Sequence, residues 1–239
     1  MSILVSTKYR SDEQEIMDDL DYKGPILHDA LDKLASINQW LGGNIVTRNG
    51  LKYVLKSHDK SIPVTIVDLG CGGGDILREI SRYGIQNGYN FNLIGIDANK
   101  HTIAYAKESS NQYDNIQFKT MDIFSEEFNT LEYDVVLATL FLHHFKESEL
   151  LSFIKPVLEK AKLGIVVNDL HRHKLAYYLF KLLSLTIRNQ TIVQDGLTSV
   201  LRGFKRSELE SISKQLNASY RIKWKWAFRF QWILKSIKE

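Results

Sequence analysis

The chain has 239 residues, 44% of them hydrophobic, and a formal net charge of +3. That size and apolar content suit one α/β domain with an added lid, the mild charge permits an anionic partner without calling for one, and no apolar run is long enough to span a bilayer. The one cysteine, Cys71, allows no intramolecular disulfide, and the first ten residues lack the apolar core of a signal peptide, so a reducing, cytoplasmic setting is expected.

Up to about Lys60 no strand-like run occurs. Residues 12–20 are acidic and read as a short helix. Over 26–41, Ile26, Leu27, Leu31, Leu34, Ile37 and Leu41 share one broad helical face, which Gly42-Gly43 closes. A further helix is expected over 45–57. The chain therefore opens with a helical cap, 1–60.

Next comes a short apolar strand, Val64–Leu69, that carries Asp68 and runs into Gly70, Gly72, Gly73 and Gly74. A helix is expected over 75–83. Strand, glycine turn and helix is the build of a nucleotide-type cofactor site, with free helix N–H groups aimed back at the turn. The dinucleotide spacing G-x-G-x-x-G would require glycine where Asp75 stands. Asp68 and Asp75 also flank the loop with negative charge, which suits a cationic ligand better than a pyrophosphate.

Further strands follow at 91–97, 116–120, 133–139 and 164–168. Helices are expected over 100–109 and over 147–162, the latter kinked at Pro156. This alternation predicts a parallel sheet with helices on both faces. Residues 175–187 read as a strongly apolar helix packed on the sheet. The last two runs, 218–226 and 228–237, have almost no link, so they must form an antiparallel hairpin. In the first of them, alternation sets Ile222, Trp224 and Trp226 on a buried face, with Arg221, Lys223 and Lys225 in solvent. That disfavours reading the segment as an RNA-stacking platform.

The run Asp68-Leu69-Gly70-Cys71-Gly72-Gly73-Gly74 resembles the first motif of the class I S-adenosylmethionine-dependent methyltransferases. The likeness extends from about Ile62 to the end, and the reversed last strand agrees with it. The resemblance implies an α/β, Rossmann-like, seven-stranded, mostly parallel sheet with a C-terminal antiparallel hairpin. The methyltransferase domain would occupy 61–239, with an acceptor-side lid at about 170–204. The implied cofactor is S-adenosylmethionine, leaving S-adenosylhomocysteine as product. Its methionine part would meet the backbone at Gly70 and Gly72, with Cys71 between them, and its amino group would meet Asp68. Asp97, beside Ala98, would accept hydrogen bonds from the ribose hydroxyls, although a helix N-cap is a competing role for it. Asp122 would face the adenine amino group between Met121 and Ile123. Thr139 and Leu140 would lie beneath the methionine part.

Methyl transfer to a hydroxyl requires alignment, exclusion of water and a base. Histidine serves best near neutrality, and His143, His144 and His171 follow strand ends where ligands bind. Capping and backbone hydrogen bonding compete for each of them. A metal is not expected, because His171 and His173 lack a third ligand nearby. Metal-dependent catechol-type methyltransferases also require an acid where Thr139 stands. The Asn/Asp-Pro-Pro-aromatic signature of nucleobase amino methyltransferases is missing after the fourth strand, and the paired-glutamate loop of protein arginine methyltransferases is not apparent. Residues 168–178, with Gln194-Asp195 and 199–204, resemble bacterial methyltransferases of polyketide-like or quinone-like phenols. By that likeness Asp169, Arg172, His173, Asp195 and Arg202 would surround the acceptor, with His171 among them. The expected function is O-methylation of a small molecule in secondary metabolism. RNA methylation and C-methylation of a quinone-like ring are the alternatives, a nucleic-acid partner is disfavoured, and a homodimer is left open.

Overall fold

The apolar runs assemble into a single seven-stranded sheet. The computed structural model describes residues 5–237; residues 1–4 and 238–239, the outer ends of the two expected units, lie outside them. In chain order the elements are α1 Pro25–Trp40, α2 Gly43–Val54, β1 Val64–Leu69, α3 Asp75–Asn87, β2 Phe91–Asp97, α4 Lys100–Ser109, β3 Ile116–Thr120, α5 Glu126–Thr130, β4 Val135–Thr139, α6 Glu147–Lys160, β5 Gly164–Leu170, α7 Lys174–Leu183, α8 Gln190–Arg202, α9 Arg206–Gln215, β6 Ala218–Lys225 and β7 Arg229–Ser236. The strand order is β3-β2-β1-β4-β5-β7-β6. The first five strands pair in parallel, and β7 lies antiparallel to both β5 and β6. Strand order reverses between β1 and β4, and a crevice opens at such a switch beyond the strands' carboxyl ends.

Two apolar layers hold the helices to the sheet. On one face, Leu51 of α2, Ile76, Leu77 and Ile80 of α3 and Ile103 of α4 pack on Ile66, Leu93 and Val166. On the other, Phe128 of α5, Phe153 and Val157 of α6 and Leu209 and Ile212 of α9 pack on Val67, Val136 and Trp232. Polar bonds fix α2 to the sheet as well. Asn168 Nδ2 donates to Gly43 O at 2.9 Å and Gln231 Nε2 donates to Val46 O at 2.7 Å.

The structure departs from the sequence reading in four places. The acidic segment at 12–20 contains only a single 3-10 turn, Ile16–Asp18, because its backbone is tied to other elements. The helices α8 and α9, for which no period was assigned, are also present. The apolar helix α7 does not pack on the sheet. Of its residues only Ala176 is buried, while Leu175, Leu179 and Leu182 are exposed, since it rests on α8 at the rim. Likewise only Ile222 of the expected buried face is buried, and Trp224 and Trp226 are exposed, because β6 is an edge strand. Among the described residues no helix is long and apolar enough to cross a membrane.

Trp232 of β7 is fully buried between the sheet and α9, and its Nε1 donates to Ser213 Oγ at 2.9 Å. Trp232→Ala should destabilise the protein by about 3–5 kcal/mol, measured by urea unfolding.

Candidate active site

The glycine turn after β1 is shaped by close approach. Gly70 has φ +61°, and a Cβ there would stand 2.1 Å from the Phe141 ring, so only glycine fits. The turn is tied to β2 by Cys71 N donating to Ile96 O at 2.9 Å and by Gly72 N donating to Asp97 Oδ2 at 3.2 Å. Asp97 Oδ1 accepts from Asn99 N at 3.0 Å. The N-cap of α4 is Asn99, whose side chain accepts from His101 N and Thr102 N, so the helix-capping alternative for Asp97 falls to its neighbour. Asp97 is left facing the crevice.

A cavity of about 480 Å³ opens there. Every residue that the sequence assigns to the cofactor lines it: Asp68, Gly70, Cys71, Gly72, Asp97, Ala98, Met121, Asp122, Ile123, Thr139 and Leu140. Asp122 is braced by Phe124 N at 2.9 Å, and Thr139 Oγ1 lies 2.9 Å from Thr47 Oγ1. Asp68 is buried, and its Oδ1 has no hydrogen-bond partner. Burial, reinforced by Asp75 and Asp97, drives its carboxyl well above the ordinary value. Burial likewise raises Asp75, Asp97 and the Cys71 thiol. Buried acids of this kind call for a counter-charge. The ammonium and sulfonium of S-adenosylmethionine provide one, and the orphaned Asp68 oxygen fits its amino group.

The opposite wall comes from residues far apart in sequence. His143 is buried, with Nδ1 2.7 Å from Asp169 Oδ1 and Nε2 3.5 Å from Glu15 Oε1. The second distance is too long for a good hydrogen bond, so the attraction there is coulombic. Burial opposes the imidazolium, but Asp169 and then Glu15 hold its pKa up to about 9. His144 Nδ1 lies 2.6 Å from Asp18 Oδ1. Burial works against Asp18, yet His144, with help from Arg202, holds its carboxyl far below the usual range. Arg202 clamps the group, donating to Asp18 Oδ2 at 2.9 Å and to His143 O at 3.2 Å. Asp195 accepts from Ile16 N at 2.7 Å and Met17 N at 3.0 Å, seating the 3-10 turn that carries Asp18. Glu15, His143 and His144 bring their potential ligating atoms within 4.8 Å of one another. Within that set Glu15 faces both imidazoles, at 3.5 Å from His143 Nε2 and 4.0 Å from His144 Nε2.

Glu15, Asp18, His143, His144 and Asp195 line the cavity. Asp169 and Arg202 stand behind this wall and position it. His171, Arg172 and His173 are not part of the lining, contrary to expectation. His171 Nδ1 accepts from Trp224 Nε1 at 3.2 Å, and His173 caps α7 through Leu175 N. Arg172 is buried against Glu208 and Gly203 O. Backbone pairing with Phe228 and Phe204 carries this stretch along the hairpin and away from the crevice. Glu15 and Asp18 were missed, since no periodicity or motif marks them.

The family of methyltransferase domains matches residues 61–197. The chain belongs to this family. A ubiquinone biosynthesis O-methyltransferase of Rickettsia bellii is 31% identical over 145 residues, 57% of this chain and 55% of that protein. The chain spans between about a quarter and about half the length of the curated relatives it matches. The plantazolicin methyltransferase BpumL, solved with S-adenosylhomocysteine, superposes with a TM-score of 0.64 at 18% identity, covering 86% of this chain and 89% of its own. Magnesium protoporphyrin IX methyltransferase of Synechocystis superposes with a TM-score of 0.55 at 14% identity, covering 82% and 84%. The fold of this methyltransferase chain is thus the class I fold, and the cofactor of that class is S-adenosylmethionine.

Two measurements follow from this geometry. Asp97→Ala should weaken S-adenosylhomocysteine binding about 10- to 100-fold in calorimetry, because it removes the tie to Gly72 together with the carboxylate expected to accept from the ribose. The stability contributed by His143 is fully present below 6.5, the ordinary imidazole value, and is lost as pH rises through about 9. The difference in Tm between wild type and His143→Gln should therefore narrow across that window. A gap independent of pH would contradict the buried imidazolium.

Proposed function

We propose that the chain moves a methyl group from S-adenosylmethionine to the hydroxyl of a small, apolar, aromatic acceptor, with His144 taking the proton. The Asp18–His144 pair on the cavity wall carries this reading. Asp18 Oδ1 accepts a hydrogen bond from Nδ1–H, which fixes the tautomer and leaves Nε2, 4.0 Å from Glu15 Oε2, to accept a substrate proton. His143 is unsuited to that task, since an imidazole held protonated up to about 9 has no free lone pair near neutrality. Its role is to hold Glu15 against the sheet and to lend positive potential where an alkoxide or phenoxide develops.

The cofactor, when bound, supplies the methyl group on a sulfonium that is already a good leaving group. The chain's own residues do the remaining work. The glycine turn, Asp68, Asp97 and Asp122 hold and orient the cofactor. Met17, Leu20, Leu31, Leu34, Phe141 and Ile192 make the acceptor side apolar and exclude water. Met17 and Leu20 come from the segment before α1, Leu31 and Leu34 from α1, Ile192 from α8 and Phe141 from the loop after β4, so cap and lid supply most of this wall. An oxygen acceptor is supported by the Rickettsia relative, and a small one by the volume that cofactor and acceptor must share.

With a phenolic acceptor found by screening, His144→Gln should lower kcat by about 10²- to 10⁴-fold and leave S-adenosylhomocysteine affinity unchanged. Unaltered turnover in that variant would remove His144 as the base.

A further inference from the structure

Arg229, the first residue of β7, is buried at 3% exposure, and its Nε and Nη1 have no hydrogen-bond partner. Among the described residues no carboxylate forms an ion pair with it. Asp169 attracts it coulombically, but the Asp169 oxygens are committed to His143 and to Leu170 N. Burial pulls its pKa down to about 10, so the guanidinium still carries its charge near neutrality. A buried cation without an ion pair is strongly destabilising, and the coulombic attraction of Asp169 offsets the cost of burial only in part.

Its surroundings indicate a ligand. The antiparallel register sets Arg229 opposite Leu170 on β5 and opposite Lys225 on β6, and Lys225 adds further positive potential. From the helical layer, Gly43 opens α2 against the guanidinium. A Cβ at Gly43 would lie 3.0 Å from Arg229 Cζ and 1.8 Å from Asn38 Oδ1, so glycine here permits the close approach. No side chain caps α2, so the first-turn N–H groups beside Gly43 are left without a side-chain acceptor. Asn38 and Leu170, the neighbours of Arg229 on either side, both line the cavity. The Asn38 Oδ1 atom is itself without a partner.

We propose that Arg229 and the N-terminus of α2 form a carboxylate-binding subsite of the cavity, behind Asn38 and Leu170. The forked donors of a guanidinium match a carboxylate in two parallel bonds, and the helix terminus adds partial positive charge on the same group. Two ligands could bring that chemistry, namely the amino-acid carboxylate of the cofactor or an acidic group on the acceptor. The assignment rests on the methyltransferase reading for its ligands, but the subsite is tested separately from it.

The test compares wild type with Arg229→Gln and Arg229→Met. Calorimetry uses S-adenosylhomocysteine and 5′-deoxy-5′-methylthioadenosine, which lacks the amino-acid part. Thermal shift uses 4-hydroxybenzoate and its neutral analogue 4-hydroxybenzamide. If the cofactor's carboxylate is held, Arg229→Gln weakens S-adenosylhomocysteine about 10- to 100-fold and leaves methylthioadenosine unchanged. If the acceptor's acid is held, S-adenosylhomocysteine is unaffected, and the stabilisation by 4-hydroxybenzoate, absent with the benzamide, is lost. In either case Arg229→Met raises the Tm of the ligand-free protein, because it removes an unbalanced buried charge. Unchanged binding of both carboxylate ligands overturns the proposal. So does a fall in ligand-free Tm in both variants, which would make Arg229 a structural group. Failure of the wild type to bind S-adenosylhomocysteine would count against the methyltransferase reading alone, since the hydroxybenzoate arm still reports on Arg229.

Discussion

A buried imidazolium joins the two halves of the site. His143 sits between Asp169, at the end of β5, and Glu15, from the segment that precedes α1. One side chain thus fastens the start of the chain to the carboxyl edge of the sheet. Arg202 extends the connection by gripping Asp18 together with the carbonyl of His143, and Asp195 seats the turn from α8. Without these ion pairs the segment around residues 10–18 would have little reason to lie over the crevice. It contains almost no buried apolar surface, and Met17 is only half-buried.

The cavity is divided electrostatically. Its cofactor end carries Asp68, Asp75 and Asp97, all pushed upward by burial, and this end suits a ligand bearing positive charge. Its other end sets Glu15 and Asp18 against His143 and His144, with His144 Nε2 4.0 Å from Glu15 Oε2. Arg229, of opposite sign, lies behind this lining, beyond Asn38 and Leu170.

The sheet and the cofactor end were legible in the sequence because both depend on local signals. Continuous apolar runs mark buried strands, and Gly70 stands where a close ring forbids a side chain. The acids at strand ends lie where topology alone directs a ligand. The far end of the cavity was only half legible. His143 and His144, read from their place after β4, line it, whereas His171, Arg172 and His173 do not. Their position depends on pairing with Phe204 and Phe228, contacts that no local pattern announces. Glu15, Asp18 and Arg229 were invisible for the same reason, since each takes its meaning from residues more than a hundred positions away or on another layer. The exposure of Trp224 and of the α7 leucines shows that alternation and helical period identify an apolar face without identifying what covers it.

The tie between the N-terminal segment and the sheet combines buried charges with hydrogen bonds to backbone, and this decides which solvent variable reaches it. Glu15 and His143 are buried and Arg202 nearly so, and charges withdrawn from water are screened little by dissolved salt. Protons reach them all the same: the imidazolium of His143 is lost as pH rises through about 9, and its attraction to Glu15 goes with it. The segment is thereby held by contacts that answer to alkali more than to salt.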